Sequence, residues 1–250
     1  MAQSLKISVV TAVYNRKTTI AQAMDSVAAQ TWPAVEHIIQ DGGSTDGTRE
    51  ILRAHAGPGV SIESLPDHGI YDAINKGIAR ATGDVIGLMH SDDFFATDTV
   101  LADVAAALAD PAIDGVYGDL DYVAADDTAR VIRKWRSGAY DPKRLRRGWM
   151  PPHPTLYLRR EVFMEWGTYD TSYQIAADYD AMLRYLAKGH IQLAYIPKVM
   201  VKMRVGGASN RSLARIMRKS REDYRALHRN GVGGIGTLLA KNFSKLRQFL

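Results

Sequence analysis

The stretch Gly83 to Phe95, GDVIGLMHSDDFF, holds a glycine turn, a short apolar run and two adjacent carboxylates. Val85, Ile86, Leu88 and Met89 form a run of strand length without polar alternation, the pattern of a central strand covered on both faces in a mostly parallel sheet. Asp92 and Asp93 fall just past its end, and in open α/β sheets ligands bind in the crevice beyond the carboxyl ends of the strands. A bare acid pair there is placed to receive a cation. Mg2+ or Mn2+ suits it, because these ions take one or two protein carboxylates and complete their shell with water and substrate phosphates. A phosphate-bearing substrate is then the natural partner. The competing role for either aspartate is to cap the helix expected from about Asp98.

Upstream of this strand, elements alternate. Lys6 to Val13 reads as a first strand, and Thr18 or Thr19 can cap a helix whose Ile20, Met24 and Val27 repeat at helical spacing. Val35 to Gln40 reads as a second strand, followed by a glycine-rich turn from Asp41 to Thr48 whose exposed N–H groups can meet a phosphate. That turn lacks the Walker lysine and the GxGxxG spacing, so a generic NTPase or dinucleotide site is weakly supported. Asp41 can accept an N–H from a base or bind a ribose hydroxyl, or it can close an Asx-turn. Val60 to Ser64 is a third strand. The next helix, Ile70 to Ala79, places Ile70, Ile74 and Ile78 on one face, leaving Asp72, Asn75 and Lys76 solvated unless a ligand lies nearby. A further helix capped by Thr97 or Asp98 runs through Leu108, and the alternation predicts a right-handed doubly wound sheet.

Downstream of Asp110-Pro111 the parallel half is expected to end. Gly115 to Val123 and Ala129 to Trp135 read as an antiparallel pair turning near Asp126-Asp127. Prolines around His153 impose an extended approach, Thr155 to Leu158 is strand-like, and Arg160 to Trp166 is a short helix. A helix opening near Gln174 and ending near Ala187 places Asp178 on the face of Met182 and Tyr185, inward or into a cleft, with N-capping as its other role. Asp180 has Arg184 at i+4 and reads as a surface ion pair. Ile191 to Ile196 and Val199 to Val205 read as two strands. The segment Gly206 to Asn210 reads as a lid or a linker.

Composition bounds the rest. The chain has 250 residues, 46% hydrophobic and 24% charged, enough for one sizeable core. With no cysteine it has no disulfide, thiolate metal site or thiol nucleophile. No signal peptide and no spanning segment are read, so a cytoplasmic location is expected. The net charge of +5 is uneven: residues 202–250 carry +10 and the rest −5. The two amphipathic stretches in this tail, with Leu213, Ile216, Met217, Tyr224 and Leu227 and then Leu239, Phe243, Leu246 and Leu250, suit either an anionic membrane surface or packing on the body with a solvated basic face. Lacking an aromatic stacking ladder, the chain is not expected to bind nucleic acid.

ISVVTAVYNR, QDGGSTDGT, DHGIYDAINKGIARATGDVIG followed by HSDD, HPTLYLRREVF and AADYDAMLR together resemble a family 2 glycosyltransferase of GT-A fold. The resemblance spans Lys6 to Asn210 and is nearest to bacterial enzymes of capsule, exopolysaccharide or lipid-linked glycan synthesis. It implies an α/β domain over 1–210, with a nucleotide-sugar half at 1–110 and an acceptor half at 111–210, followed by a basic helical extension at 211–250. It implies that Ala12 and Tyr14 contact the nucleotide base, Asp41 binds the base, and Asn75 and Lys76 lie beside ribose or phosphates. Asp92 would hold the ribose and Asp93 the Mg2+ or Mn2+ ion. Asp178 would be the catalytic base and His153 would line the acceptor side. The family's acidic residue before that aspartate is Ala177 here. The implied activity is inverting transfer from a nucleotide diphosphate sugar, UDP-sugar favoured, to a hydroxyl of a glycan or lipid-linked acceptor, at the cytoplasmic face of the membrane. The alternative is a catalytically inactive sugar-nucleotide-binding homologue.

Overall fold

The computed structural model describes residues 4–205 and 213–246. The strands are β1 (Ile7–Val13), β2 (Val35–Asp41), β3 (Val60–Ser64), β4 (Val85–Leu88), β5 (Phe94–Phe95), β6 (Gly115–Ala124), β7 (Val131–Trp135), β8 (Tyr157–Arg159) and β9 (Leu193–Val205). The helices are α1 (Ile20–Ala28), α2 (Thr48–Ala54), α3 (Ile70–Arg80), α4 (Val100–Ala107), α5 (Arg160–Trp166), α6 (Ala177–Leu183), α7 (Leu213–Arg229) and α8 (Ile235–Leu246). One mixed sheet runs in the order β3-β2-β1-β4-β8-β6-β9-β5, with β7 paired to β6. Strands β3, β2, β1 and β4 are parallel neighbours.

The expected central strand is covered on both sides. Ile86 and Leu88 join Val10, Ile74 and Ile78 in one apolar cluster, while Val85 and Met89 join Val9, Ile20, Met24 and Val104 in the other. Period-two alternation sends successive side chains to opposite faces, and an unbroken apolar run results only when both faces are packed. Ile7, Ile38 and Ile39 are likewise enclosed, each contributing roughly 1.5–3 kcal/mol by burial. Gly87 is required here, because a Cβ would stand 2.1 Å from the Tyr157 ring of the second-half strand packed across it.

Several local expectations change in three dimensions. Strand order does not switch to purely antiparallel after residue 110: β8 is antiparallel to β4 and β6, which leaves β6 parallel to β4, and β9 is parallel to β6. The two strands read between 191 and 205 are one strand. A register shift near Asp119 passes from Ile196↔Gly118 to Val199↔Asp119, so Pro197, which cannot donate to a ladder, sits in a bulge. Two residues after the acid pair form β5, pairing with Lys202 and Val201 of β9, a strand too short to show periodicity. Ile70 is 49% exposed, standing at the helix start outside the core that holds Ile74 and Ile78. Thr19 makes no cap; its hydroxyl donates to the Ser91 carbonyl at 2.9 Å.

Asp180 is not a surface residue. It is 3% exposed and accepts hydrogen bonds from Tyr173 and Asn230 at 3.2 and 3.0 Å. Arg184 lies 3.9 Å away and donates instead to the carbonyls of Trp166 and Thr168. The surrounding helix turns into a π-turn at Arg184–Lys188. In the tail, Ala226, Leu227 and Val232 join the apolar cluster of α3 and α6, and Asp223 and Lys241, each 2% exposed, pair at 2.8 Å. The segment 206–210 and Leu250 lie outside the described residues, as do the side chains of Leu213, Phe243 and Leu246.

Candidate active site

The loops beyond β1, β2 and β4 converge at the carboxyl edge of the sheet. Ala12, Tyr14 and Arg16 follow the register of β1 into a pocket of about 270 Å³ that also takes in Asp67, Gly69 and Ser91. Asn15, with φ 51°, turns the chain there and accepts from the Thr45 N–H at 2.9 Å, while its own N–H donates to Ser44 Oγ at 2.8 Å. These bonds join the first-strand loop to the glycine-rich turn. Gly42 leaves room for Asp67, whose Oδ2 would stand 2.3 Å from any Cβ at that position.

A larger cavity of about 470 Å³ shares Ala12, Arg16, Ile70 and Ser91 with this pocket, so the two are continuous. Asp92 beyond β4 and Asp178 on α6 both line it, as do His90, His153 and Arg204. The acid loop is fixed from below and above. Thr19 holds the Ser91 carbonyl, and Arg204 at the end of β9 holds the carbonyl of Asp92 with its guanidinium and Asp93 Oδ1 with its N–H at 3.1 Å. Asp93 is fully enclosed, and its Oδ2 has no hydrogen-bond partner. Burial, with the charge of Asp92 added, pushes its carboxyl well above the usual range.

A buried carboxylate oxygen without a partner is costly, and a bound cation removes that cost. The pair Asp92–Asp93 therefore fits a hard divalent ion that takes few protein ligands. Among the described residues no group of three or more His, Cys, Asp or Glu is placed to hold a metal ion.

Helix α6 presents Asp178 to the same cavity. Tyr71 Oη lies 2.7 Å from the Ile175 carbonyl and 3.3 Å from Asp178 Oδ1, so its one proton serves either oxygen. Burial first, then the charge of Asp178, holds the Tyr71 hydroxyl protonated. His153 shares a hydrogen bond of 2.8 Å with Tyr169 Oη, and burial pulls its pKa down to about 4, leaving a neutral ring at pH 7. The His90 ring, 5.7 Å from that of His153, is lowered by burial and partly restored by Asp92 and Asp178.

Ala12, Tyr14, Asp92, His153 and Asp178 thus meet in one continuous space. Asp41, Asn75, Lys76 and Asp93 do not line it. Asp41 is fully buried and accepts from Ser44 Oγ and Ser64 Oγ, both at 2.5 Å, and from the Ser44 N–H. Asn75 clamps Tyr169 through both its backbone groups, at 2.7 and 3.0 Å. Lys76 bonds the Pro66 carbonyl and Asp72. Expected as ligand contacts, these three spend their polar atoms on protein partners. The roles missed in sequence belong to Arg16, Asp67, Tyr71, His90 and Arg204. Arg16 and Asp67 stand in the quoted motifs at loop ends, whereas nothing near Arg204 shows that β9 returns beside the acid loop.

A mixed sheet with an acid pair just past the end of its central strand, and a helix-borne aspartate lining the same cleft, has the architecture of a GT-A fold. Over 97% of this chain, S. aureus TarS 1–349 superposes with a TM-score of 0.71 at 18% identity, 73% of that chain being covered. The chain spans 39% of longer S. aureus TarS. The mannosyltransferase PcManGT from Pyrobaculum calidifontis, solved with GDP-Man and Mn2+, gives 0.68 at 19% identity over 99% of this chain and 72% of that one. At these identities the likeness concerns architecture. A PGL/p-HBAD biosynthesis glycosyltransferase of Mycobacterium tuberculosis is 31% identical over 207 residues, covering 81% of this chain and 78% of the relative. The sequence profile of glycosyl transferase family 2 matches residues 8–176, and the chain belongs to that family.

Proposed function

We propose that the protein is an inverting glycosyltransferase that moves a sugar from a nucleotide diphosphate sugar, UDP-sugar favoured, to a hydroxyl of a glycan or lipid-linked acceptor in bacterial surface polysaccharide or glycolipid synthesis. The observation that carries the reading is that Asp92 and Asp178 line one cavity of about 470 Å³. Ala12 and Tyr14 take the base, and Asp41, Asn75 and Lys76 support that wall from behind. Arg16 and Arg204 face the diphosphate, Asp92 the ribose, and Asp92 with Asp93 would hold Mg2+ or Mn2+. Such an ion, when bound, neutralises charge growing on a departing diphosphate.

Asp178 takes the proton of the acceptor hydroxyl as its oxygen attacks the anomeric carbon from the side opposite the diphosphate. The new glycosidic bond forms as the bond to phosphate breaks, and configuration inverts. His153 and Tyr169 shape the acceptor wall, and a neutral imidazole keeps a competing cation away from Asp178. S. aureus TarS 1–349, solved in complex with UDP-GlcNAc, and PcManGT, solved with GDP-Man and Mn2+, support this donor class.

The division into a catalytic body over 1–210 and a basic extension over 211–250 is also proposed. In that extension Ile216, Met217 and Tyr224 are exposed on the arginine-rich α7, and Ile235 and Leu239 on α8, which suits the anionic cytoplasmic face of a membrane. Among the described residues no helix is long and apolar enough to cross a membrane. Cosedimentation with anionic vesicles that vanishes in high salt is the expected result, and absence of binding at low salt refutes the membrane role.

The test of the activity is the release of nucleotide from UDP-GlcNAc and GDP-mannose with Mn2+ by the wild-type chain and by Asp178→Asn. Turnover is expected to fall by about 10²–10⁴, the usual worth of a positioned general base. Nucleotide affinity should stay within about twofold, since the change removes an interaction made only in the transition state. Parallel loss of affinity would make Asp178 a structural residue. Nucleotide binding without any release by the wild type would favour the inactive-homologue reading motivated by Ala177.

A further inference from the structure

We infer that Glu222, on the tail helix α7, is a positioning residue for Asp178; this rests on the transferase reading above. Helix α6 begins at Ala177 with no side chain of its own capping it. The N–H groups at a helix start lack partners within the helix and must find them elsewhere. Here the Glu222 carboxylate accepts all three that precede α6: Gln174 at 3.2 Å, Ile175 at 2.8 Å and Ala176 at 3.0 Å. Charge-assisted bonds of this kind are about twice as strong as neutral ones. Gln174 and Ile175 are themselves walls of the cleft beside Asp178.

Residue 175 is held from both sides. Its N–H donates to Glu222, and its carbonyl accepts from Tyr71, the same hydroxyl that lies 3.3 Å from Asp178. Glu222, Ile175, Tyr71 and Asp178 therefore form one mechanical chain from the tail to the reacting carboxylate. Glu222 is itself anchored because its neighbour Asp223 is buried between Lys219 and Lys241, at 2.9 and 2.8 Å. The basic tail thus contributes one acid to the site's geometry, and the tail and the base move as a unit.

Full-length Glu222→Ala and the milder Glu222→Gln are compared with Arg229→Ala, which breaks a different contact of α7 with the same region, the 2.5 Å pair with Asp170. Amide exchange over 174–178 is expected to rise at least tenfold in Glu222→Ala, less in Glu222→Gln, and within about twofold in Arg229→Ala. The carboxyl ¹³C signal of Asp178 shifts in the Glu222 variants only. With UDP-GlcNAc or GDP-mannose as the probe, kcat should drop about tenfold or more while donor KM holds, and Asp178→Asn added to Glu222→Ala should cost less than it does alone. Equal exchange in the Glu222 and Arg229 variants, or an unmoved Asp178 signal, overturns the assignment. A wild type that releases no nucleotide counts against the transferase reading instead, while exchange and the ¹³C signal still decide the role of Glu222.

Discussion

One strand of the sheet ends in an aspartate and another is followed by one a few residues on, and the two side chains meet opposite fates. Asp41, the last residue of β2, is sealed by Ser44 and Ser64 and has no exposed surface. Asp92, past the end of β4, lines the cleft, and its carbonyl is held by Arg204. In sequence both are acids beyond apolar runs. The difference comes from what the next turn supplies: QDGGS returns a serine hydroxyl and N–H within three residues, whereas SDDFF passes at once into β5, whose phenylalanine side chains carry no donor. An acid whose lone pairs are filled supports structure, and one left open is available to a ligand.

That contrast is broken or sharpened by four measurements. The largest effect is expected at the open acid: Asp92→Ala should weaken Mn2+-dependent binding of UDP or GDP by about 10²-fold, since loss of a charged contact costs about 2–5 kcal/mol. Calorimetric titration with and without Mn2+ reads it, and unchanged affinity would end the assignment. At the sealed acid, Asp41→Ala leaves Ser44 and Ser64 unpaired and should lower unfolding free energy by about 2–3 kcal/mol in urea. Nucleotide affinity should remain within about twofold; a tenfold loss in folded protein would return Asp41 to direct contact with the base.

The third measurement concerns another sealed polar group on β2. His37 is 4% exposed, bonded to Thr11 at 2.9 Å, and burial pulls its pKa down to about 4 from 6.5. The unfolded chain binds this proton first as pH falls, so its stabilising effect is complete above about pH 6.5 and is lost toward pH 4. About 2 kcal/mol should disappear between pH 6.5 and 5 on this account. Denaturant curves across that range should show a weaker slope with pH in His37→Gln, and an identical slope would refute the assignment. The smallest effect belongs to the open side: Tyr71→Phe removes a hydroxyl shared between Ile175 and Asp178 and should reduce nucleotide release about five- to tenfold, the worth of one net hydrogen bond. An unchanged rate would detach Tyr71 from the base.

Legibility followed the range of the interactions. The element alternation, the buried central strand, the acid pair and Asp178 facing a cleft were all readable, because each depends on neighbours a few residues away. Asp180 was read as a surface residue for the same reason: its i+4 ion pair with Arg184 is present at 3.9 Å, but its burial comes with hydrogen bonds from Tyr173 and Asn230, one of them fifty residues distant. Asn75 and Lys76 had the right chemistry for phosphate and ribose. Packing spends Asn75 on the backbone of Tyr169, which local spacing cannot reveal.

The tail shows this limit most clearly. As sequence it is a basic amphipathic segment with two acids, Glu222 and Asp223; in the fold those two acids face inward, one to the amides before α6 and the other to buried Lys241. Net charge describes a solvated surface, and desolvated ion pairs need a partner from elsewhere in the chain.

The order of residues alone determined that a two-faced apolar strand would run into a pair of carboxylates, and that a helix would carry Asp178 inward, since backbone periodicity and short turns specify both. Only the tertiary structure decided which aspartates line the cleft, that Arg204 returns along β9 to brace the acid loop, and that Glu222 reaches back to the amides before α6. Those outcomes depend on strand order and helix docking, which bring together residues separated by tens to more than a hundred positions and so leave no periodic trace in the chain.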